Sequence, residues 1–300
     1  MIWTITFFIA AIRLPINQDF MQVIFLDFLA NPLLWIVIFL VIGILAGTIV
    51  GVMGGSGVAV VVPLLVLLGT DVHTSIGTSL FVDVVASVIA VYTYRKNGNV
   101  DMTHGIWMAI AAVGGAQVGS LFAASTPAMG MNWGFGIFLI INGIVMLKTG
   151  LKTMAEKVSS YTKPILYGQD GLDSPAGNRR AVILSIVFGF GIGVISGFFG
   201  AGGGMMFLFV LILILGYELH VAVGTSTLIM AITAVSGTVG YAVHGYLDII
   251  AAIIIGLGSI ISVRFGAIAA NKLGEKALGK VIAGILIALG VMMVVFSLHA

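Results

Sequence analysis

The sequence predicts an all-α, polytopic membrane protein with two inverted-topology five-segment repeats, each carrying a Gly-broken helix pair. Three observations predict it. The 300 residues are 60% hydrophobic and 8% charged, whereas a soluble domain carries about 25% charged residues; too little polar surface is present to cover a water-soluble core. The apolar residues form continuous runs, and a helix spans a bilayer with roughly 20 of them. Continuous runs exclude the alternating pattern of a β-barrel. Finally, the two halves of the chain carry the same glycine-rich pattern in register.

The runs fall at 33–53, 57–69, 75–94, 104–123 and 131–149, and again at 181–199, 203–216, 221–243, 248–270 and 278–298. Between them lies the one long polar stretch, with Lys152, Glu156, Lys157, Lys163, Asp170, Asp173, Arg179 and Arg180 around "SPAGN". It reads as a linker. The expected organisation is an N-terminal extension at 1–32, a first repeat at 33–149, a cytoplasmic linker at 150–180 and a second repeat at 181–300. The apolar run within the extension is short for a span and lacks the basic start and small-residue cleavage site of a signal peptide. An interfacial helix is its preferred reading, and an additional span the other.

Composition narrows the function classes. A net charge of +2 gives no footprint for nucleic acid, and with no cysteine there is no disulfide, thiolate metal site or cysteine nucleophile. No HExxH or Cys/His cluster suggests a metal, and no cofactor is expected.

The repeat is read by aligning "GILAGTIVGVMGGSG" (43–57) with "GFGIGVISGFFGAGG" (189–203). Gly43, Gly47, Gly51, Gly54 and Gly57 fall on Gly189, Gly193, Gly197, Gly200 and Gly203 at a constant shift of 146 residues. One inserted residue later, His73 falls on His220, and Gly77-Thr78-Ser79 on Gly224-Thr225-Ser226. Tyr94, Gly98, Asp101 and Gly119 then fall on Tyr241, Gly245, Asp248 and Gly266. Five segments per half is an odd number, so the second half enters from the opposite side, as in inverted-repeat transporters. Positive charge agrees with that parity. With the linker cytoplasmic, Arg95, Lys96, Lys272, Lys276 and Lys280 are cytoplasmic too. The loops around 124–130 and 244–247, which fall outside, contain no Lys or Arg. Residue 32 and Ala300 are therefore expected outside a cytoplasmic membrane crossed many times.

The glycine clusters are the candidate site. Inside a bilayer, non-helical backbone is tolerated only where protein or a water-filled cavity satisfies it. Freed N–H groups at a helix start suit an oxyanion; close helix packing through small residues is the competing explanation. The candidates are Gly54, Gly55, Ser56 and Gly57 in the first cluster and Gly200, Ala201, Gly202, Gly203 and Gly204 in the second. The hydroxyls of Thr78, Ser79, Thr225 and Ser226 follow them; these can cap a helix, bond a neighbouring helix or donate to an anion. Neither cluster is a nucleotide loop, because the lysine of GxxxxGK[ST] is missing.

These paired clusters, each followed by a "GTS", resemble the sulfite exporter TauE/SafE family of membrane permeases over about residues 33–298. Membership implies a secondary transporter of sulfite or organosulfur anions across the cytoplasmic membrane. Two departures stand out: Ser56 and Val58 replace glycines more usual in the family, and Phe209 stands where the first copy has Pro63.

Three further residues are coupling or counter-ion candidates. Asp83 lies in mid-segment, where an ionisable group is costly and functional by default; its repeat mate is Met230. Proton coupling, pairing with Arg264 and a packed protonated acid compete for it. Arg264 matches Gln117 in the repeat and lies near a segment end, where snorkelling competes with a role toward an anion. His73 and His220, at segment ends, read as interface or cap residues.

The expected protein is therefore not an enzyme but a permease for a small inorganic or organosulfur anion in the lipid bilayer, driven by alternating access and a proton gradient. A non-transporting scaffold subunit is the alternative. "GGSG" also fits the GxSG serine motif of rhomboid-type intramembrane proteases, with His220 or His244 as an imagined base. The repeat puts Gly202 where Ser56 stands, and glycine cannot be a nucleophile, so the motif is better explained as half of a pair.

Overall fold

A computed structural model describes residues 32–53, 56–96, 98–148, 175–200, 203–217, 219–272 and 275–298. The expected extension before residue 32 and linker residues 150–174 lie outside the described residues. Ten helices are described: α1 (Pro32–Met53), α2 (Val58–Leu67), α3 (Val72–Lys96), α4 (Met102–Ser125) and α5 (Ala128–Lys148), then α6 (Pro175–Phe199), α7 (Gly204–Leu213), α8 (Leu219–Val243), α9 (Ile249–Lys272) and α10 (Glu275–Ser297). No strand is present among the described residues. Helix is what this composition forces, because in lipid each backbone N–H and C=O must be satisfied within its own segment.

Among the described residues five stretches are long and apolar enough to cross a membrane: Pro32–Gly51, Val72–Lys96, Gly105–Ser125, Ala181–Phe199 and Val221–Val243. The helices α2 and α7 have ten residues each, hence about 15 Å, half of a hydrocarbon core of about 30 Å. The outer face carries apolar side chains such as Leu33, Phe122, Val187, Ile250 and Phe265, all exposed. Lipid is the environment that suits such a surface.

Helix starts extend past the apolar runs where a carboxylate caps them. Asp71 accepts from the backbone N–H of His73 at 3.0 Å, so α3 begins at Val72 rather than at 75. Asp248 accepts from Ala251 N–H at 3.0 Å at the start of α9. A polar first turn is helical because it is capped, and hydropathy does not count it. At α6, Pro175 occupies the first helical position, where its missing N–H costs nothing.

The helices of the two halves interleave. α1 packs on α9, and α4 on α6. α3 packs on α8, and α5 on α10. α3 also touches α9, and α8 touches α4. Close approach explains the glycines of α1 and α6: a Cβ on Gly43 or Gly47 would overlap the backbone of Ile255 or Ser259 on α9, and one on Gly189 or Gly193 that of Met108 or Ala112 on α4. Contacts advance in step along both pairs, so α1 runs parallel to α9 and α6 parallel to α4. α5 and α10 run antiparallel, with Gly136 against Gly290 and Gly143 against Ala283.

The centre is formed by α3 and α8, whose buried residues include Ile76, Leu80, Ile229 and Tyr241. It is also where the polar groups sit. Thr78, Ser79, Asp83, Ser87, Thr225, Ser226 and Thr227 are fully buried.

Candidate functional site

The first glycine cluster falls between the end of α1 at Met53 and the start of α2 at Val58. Ser56 and Gly57 are described; Gly54 and Gly55 lie outside the described residues. Gly57 N–H donates to Asp83 Oδ1 at 2.9 Å. Ser56 Oγ donates to Asp83 Oδ2 and accepts from Val58 N–H at 3.2 Å. The carboxylate, carried on α3 and 0% exposed, thus sits at the N-terminal end of α2. Helix-start donors and the positive end of the peptide dipoles favour an acidic group there. This is how a buried carboxylate is accommodated without a cation.

The second cluster falls between the end of α6 at Phe199 and the start of α7 at Gly204. Gly200 and Gly203 both take left-handed backbone, with φ of +66° and +67°, which side chains disfavour by about 1–2 kcal/mol. At Gly200 a Cβ would also overlap the side chain of Ile76 on α3. Gly203 O accepts from Phe207 N–H at 2.8 Å, opening α7. Ala201 and Gly202 lie outside the described residues. On α8 the position matching Asp83 is the buried Met230, so α8 offers this turn no carboxylate. The two breaks, alike in sequence, differ in chemistry.

One cavity borders both breaks. Its wall includes Ser56 from the first turn and Gly203 and Gly204 from the second. It is a small, partly open cavity of about 60 Å³. The helix α5 supplies Phe135, Phe138, Leu139 and Asn142; Ile49, Ala59, Met206 and Leu286 complete most of the rest. Phe138 stacks on Phe199, with ring centroids 4.9 Å apart, and Phe199 meets Phe198 edge-on. An aromatic cluster therefore backs the second turn. Asn142 Nδ2 donates to Phe138 O at 2.7 Å.

The GTS hydroxyls divide by residue. Thr78 Oγ1 accepts from Asp248 N–H at 3.1 Å, and Thr225 Oγ1 accepts from Asp101 N–H at 2.9 Å. Each locks a helix of one half to a helix start of the other. Gly77 and Gly224 allow this, because a Cβ on either would overlap the carbonyl of Tyr246 or Asn99. Ser226 Oγ donates to Val223 O at 3.0 Å within its own helix. Ser79 Oγ is buried and has no partner among the described residues.

Arg264 is exposed on α9. Asp83 meets Ser56 and Gly57, and the structure does not bring Arg264 to it. Gln117 Nε2 donates to Ser236 O at 2.7 Å and to Ser236 Oγ at 2.9 Å, joining α4 to α8. His73 is an interface residue: its Nε2 lies 3.1 Å from Ala123 O and 3.0 Å from Thr126 O, and its ring stacks on Tyr246. The side chain of His220 lies outside the described residues. Among the described residues no cluster of His, Asp and Glu could hold a metal ion.

The cavity's aromatic and aliphatic wall escaped the sequence reading. Asn142, a lone amide in "FLIINGIVM", was a usable signal; Phe135 and Phe138 were not, since a phenylalanine in an apolar run looks the same facing lipid or a cavity.

A bundle of apolar helices, five of them among the described residues long enough to cross a membrane, fits the class of membrane transporters. The chain belongs to the sulfite exporter TauE/SafE family, whose model matches residues 39–293. Among its relatives is the probable membrane transporter protein YunE of Bacillus subtilis (strain 168), 27% identical over 263 residues, covering 85% of this chain and 95% of that protein. The probable membrane transporter protein YdhB of the same organism is 28% identical over 259 residues, covering 82% and 93%. The probable membrane transporter protein MJ0441 of Methanocaldococcus jannaschii is 25% identical over 277 residues, covering 87% and 96%. No solved structure matches the chain.

Proposed function

We propose that this membrane transporter is a secondary permease moving a small oxyanion, sulfite or an organosulfur anion, across the cytoplasmic membrane by alternating access. The observation that carries the reading is a cavity whose wall includes Ser56 from the first cluster and Gly203 and Gly204 from the second. Backbone donors at Gly54–Gly57 and Gly200–Gly204, with Ala201 among them and the hydroxyls of Ser56 and Ser79, would hold the anion; Gly57 N–H and the Ser56 hydroxyl, bound to Asp83 in this structure, would join once Asp83 releases them. Thr78, Thr225 and Ser226 would support the site from α3 and α8, and Gln117 and Arg264 are secondary candidates. The family's name supports the substrate class.

Matched interactions support an inverted repeat. The Thr78–Asp248 and Thr225–Asp101 bonds exchange under the 147-residue shift, as do the α1–α9 and α4–α6 contacts. Two halves alike in fold and opposite in direction suit rocking about a central site. Asp83 is the proposed proton carrier, its proton exchanging as the Ser56 and Gly57 contacts form and break. A scaffold subunit or a protease using Ser56 is less well supported. Ser56 Oγ is engaged by Asp83 and Val58, and the relatives' names are those of transporters.

The test is uptake into proteoliposomes of labelled sulfite, sulfate, thiosulfate, sulfoacetate and chloride, with and without an imposed pH gradient. Sulfite or an organosulfur anion should accumulate and chloride should not. Failure of every anion would end the permease reading.

A further inference from the structure

Arg264 places a guanidinium, a permanent cation, on a surface made for lipid. It is exposed on α9, has no hydrogen bond or ion pair among the described residues, and does not line the cavity. Lys272, the last residue of α9, lies eight residues on, about 12 Å at the helical rise. At the matching position of the first half, the uncharged Gln117 bonds to Ser236, so helix pairing does not require a charge there. The exposed Ile253, Leu257 and Ile261 follow one line along α9, and Arg264 continues it. On α3, Val88, Tyr92 and Lys96 recur every fourth residue and are exposed as well.

The two lines flank one groove. α3 and α9 run parallel: Thr78 accepts from Asp248 N–H, a Cβ on Gly256 would touch Val85, and Val263 packs with Ala86, Ala90 and Tyr94. Arg264 is therefore level with the last turn of α3, from Tyr92 to Lys96. At about 100° per residue, the exposed line of α9 lies clockwise from its contact with α3, and that of α3 counterclockwise from its contact with α9. For parallel helices these are the same side, away from α1, which packs against Ile255 and Gly258. The result is an apolar groove open to lipid, with Arg264 on one wall and Lys96 on the other at its charged end. Long basic side chains lay their stems along apolar surface and carry the charge toward the headgroups. Two cations from different helices at headgroup depth suit a phosphodiester, and the apolar groove beneath them suits an acyl chain. We propose that the α3–α9 groove holds an anionic phospholipid, its phosphate between Arg264 and Lys96 and one chain along Val88, Leu257 and Ile261. On the proposed sidedness this lipid belongs to the cytoplasmic leaflet, the anionic one. It fastens α9 to α3, the helix that carries Asp83.

The experiment is native mass spectrometry of the full chain, released from neutral-detergent micelles that contain equal amounts of phosphatidylglycerol and phosphatidylcholine. The wild type should hold one phosphatidylglycerol in preference to phosphatidylcholine by roughly 25-fold, fivefold for each of two basic residues. Arg264→Gln, which installs the residue of the matching position, should reduce that preference about fivefold, and so should Lys96→Gln. Lys280→Gln, at an exposed basic position on α10, should leave it unchanged. A preference unaltered in Arg264→Gln or in Lys96→Gln overturns the inference, and the second variant keeps the test if the first does not fold. An equal loss in Lys280→Gln overturns it too, because the basic residues would then act as a diffuse collar with no defined groove. Inorganic phosphate at millimolar concentration should not displace the lipid; displacement would replace the lipid by a free anion and overturn the proposal. None of these readouts involves transport, so a failure here leaves the permease reading untouched.

Discussion

At the scale of single residues, Asp83 organises the site. It is wholly buried, and its two oxygens meet Ser56 and Gly57. A carboxylate held by a hydroxyl and a helix-start N–H is satisfied when charged. A protonated carboxyl would instead donate from one oxygen while the other still accepts. Ser56 and Gly57 are the groups that face it; no other titratable side chain bonds to it among the described residues. Asp83→Asn keeps the shape and removes the exchangeable proton. We expect the variant to retain downhill anion exchange and to lose acceleration by an imposed pH gradient, measured as initial uptake with the outside acidified. Full pH-driven uptake by Asp83→Asn would remove proton coupling from this residue. The sequence singled out Asp83 because a lone acid in an apolar segment is conspicuous. It gave no hint of the partner, because contact with Ser56 depends on how α2 folds back beside α3.

At the scale of elements, the two GTS motifs act as interlocks. Thr78 on α3 holds the start of α9, and Thr225 on α8 holds the start of α4. Asp248 caps α9 through its own side chain as well. The motif's spacing was legible in the sequence, and bonding to a neighbouring helix was one of the roles open to it. The choice among roles depended on which helix start arrives beside each threonine, a matter of tertiary packing. Thr78→Ala and Thr225→Ala should each destabilise by about 1 kcal/mol, the usual worth of one such bond. The threonines serve separate helix junctions without a shared partner, so the double variant should show the sum. Thermal unfolding in detergent measures both. A cost at one threonine and none at the other would show that the two bonds are not equivalent supports. The cavity wall belongs to this scale too. Phe138 reaches the cavity because α5 forms part of its wall, and no periodicity along a uniformly apolar helix reports that.

At the scale of the whole molecule, the helix runs read from hydropathy return as the ten helices, adjusted at capped ends. The proposed sidedness follows from charge. Arg95 and Lys96 end α3, Lys272 ends α9, and Lys276 and Lys280 lie in the first two turns of α10. These ends meet at one face of the bundle, opposite the face where His73 contacts Ala123 and Thr126. The native chain has no cysteine, so single cysteines report cleanly. A cysteine at Thr126 or Gly245 should react with an impermeant maleimide on intact cells, and one at Gly98 only after permeabilisation; the reverse pattern would invert the proposed orientation.

The central claim is that the anion passes through the cavity shared by the two glycine breaks. Ala59 lines that cavity, small and half-buried, beside but outside the first turn. The most direct measurement is uptake by Ala59→Cys in the cysteine-free chain, before and after reaction with a bulky methanethiosulfonate. We expect uptake to be blocked by the reagent and protected by the transported anion in proportion to its occupancy. Undiminished uptake after complete labelling would contradict the claim.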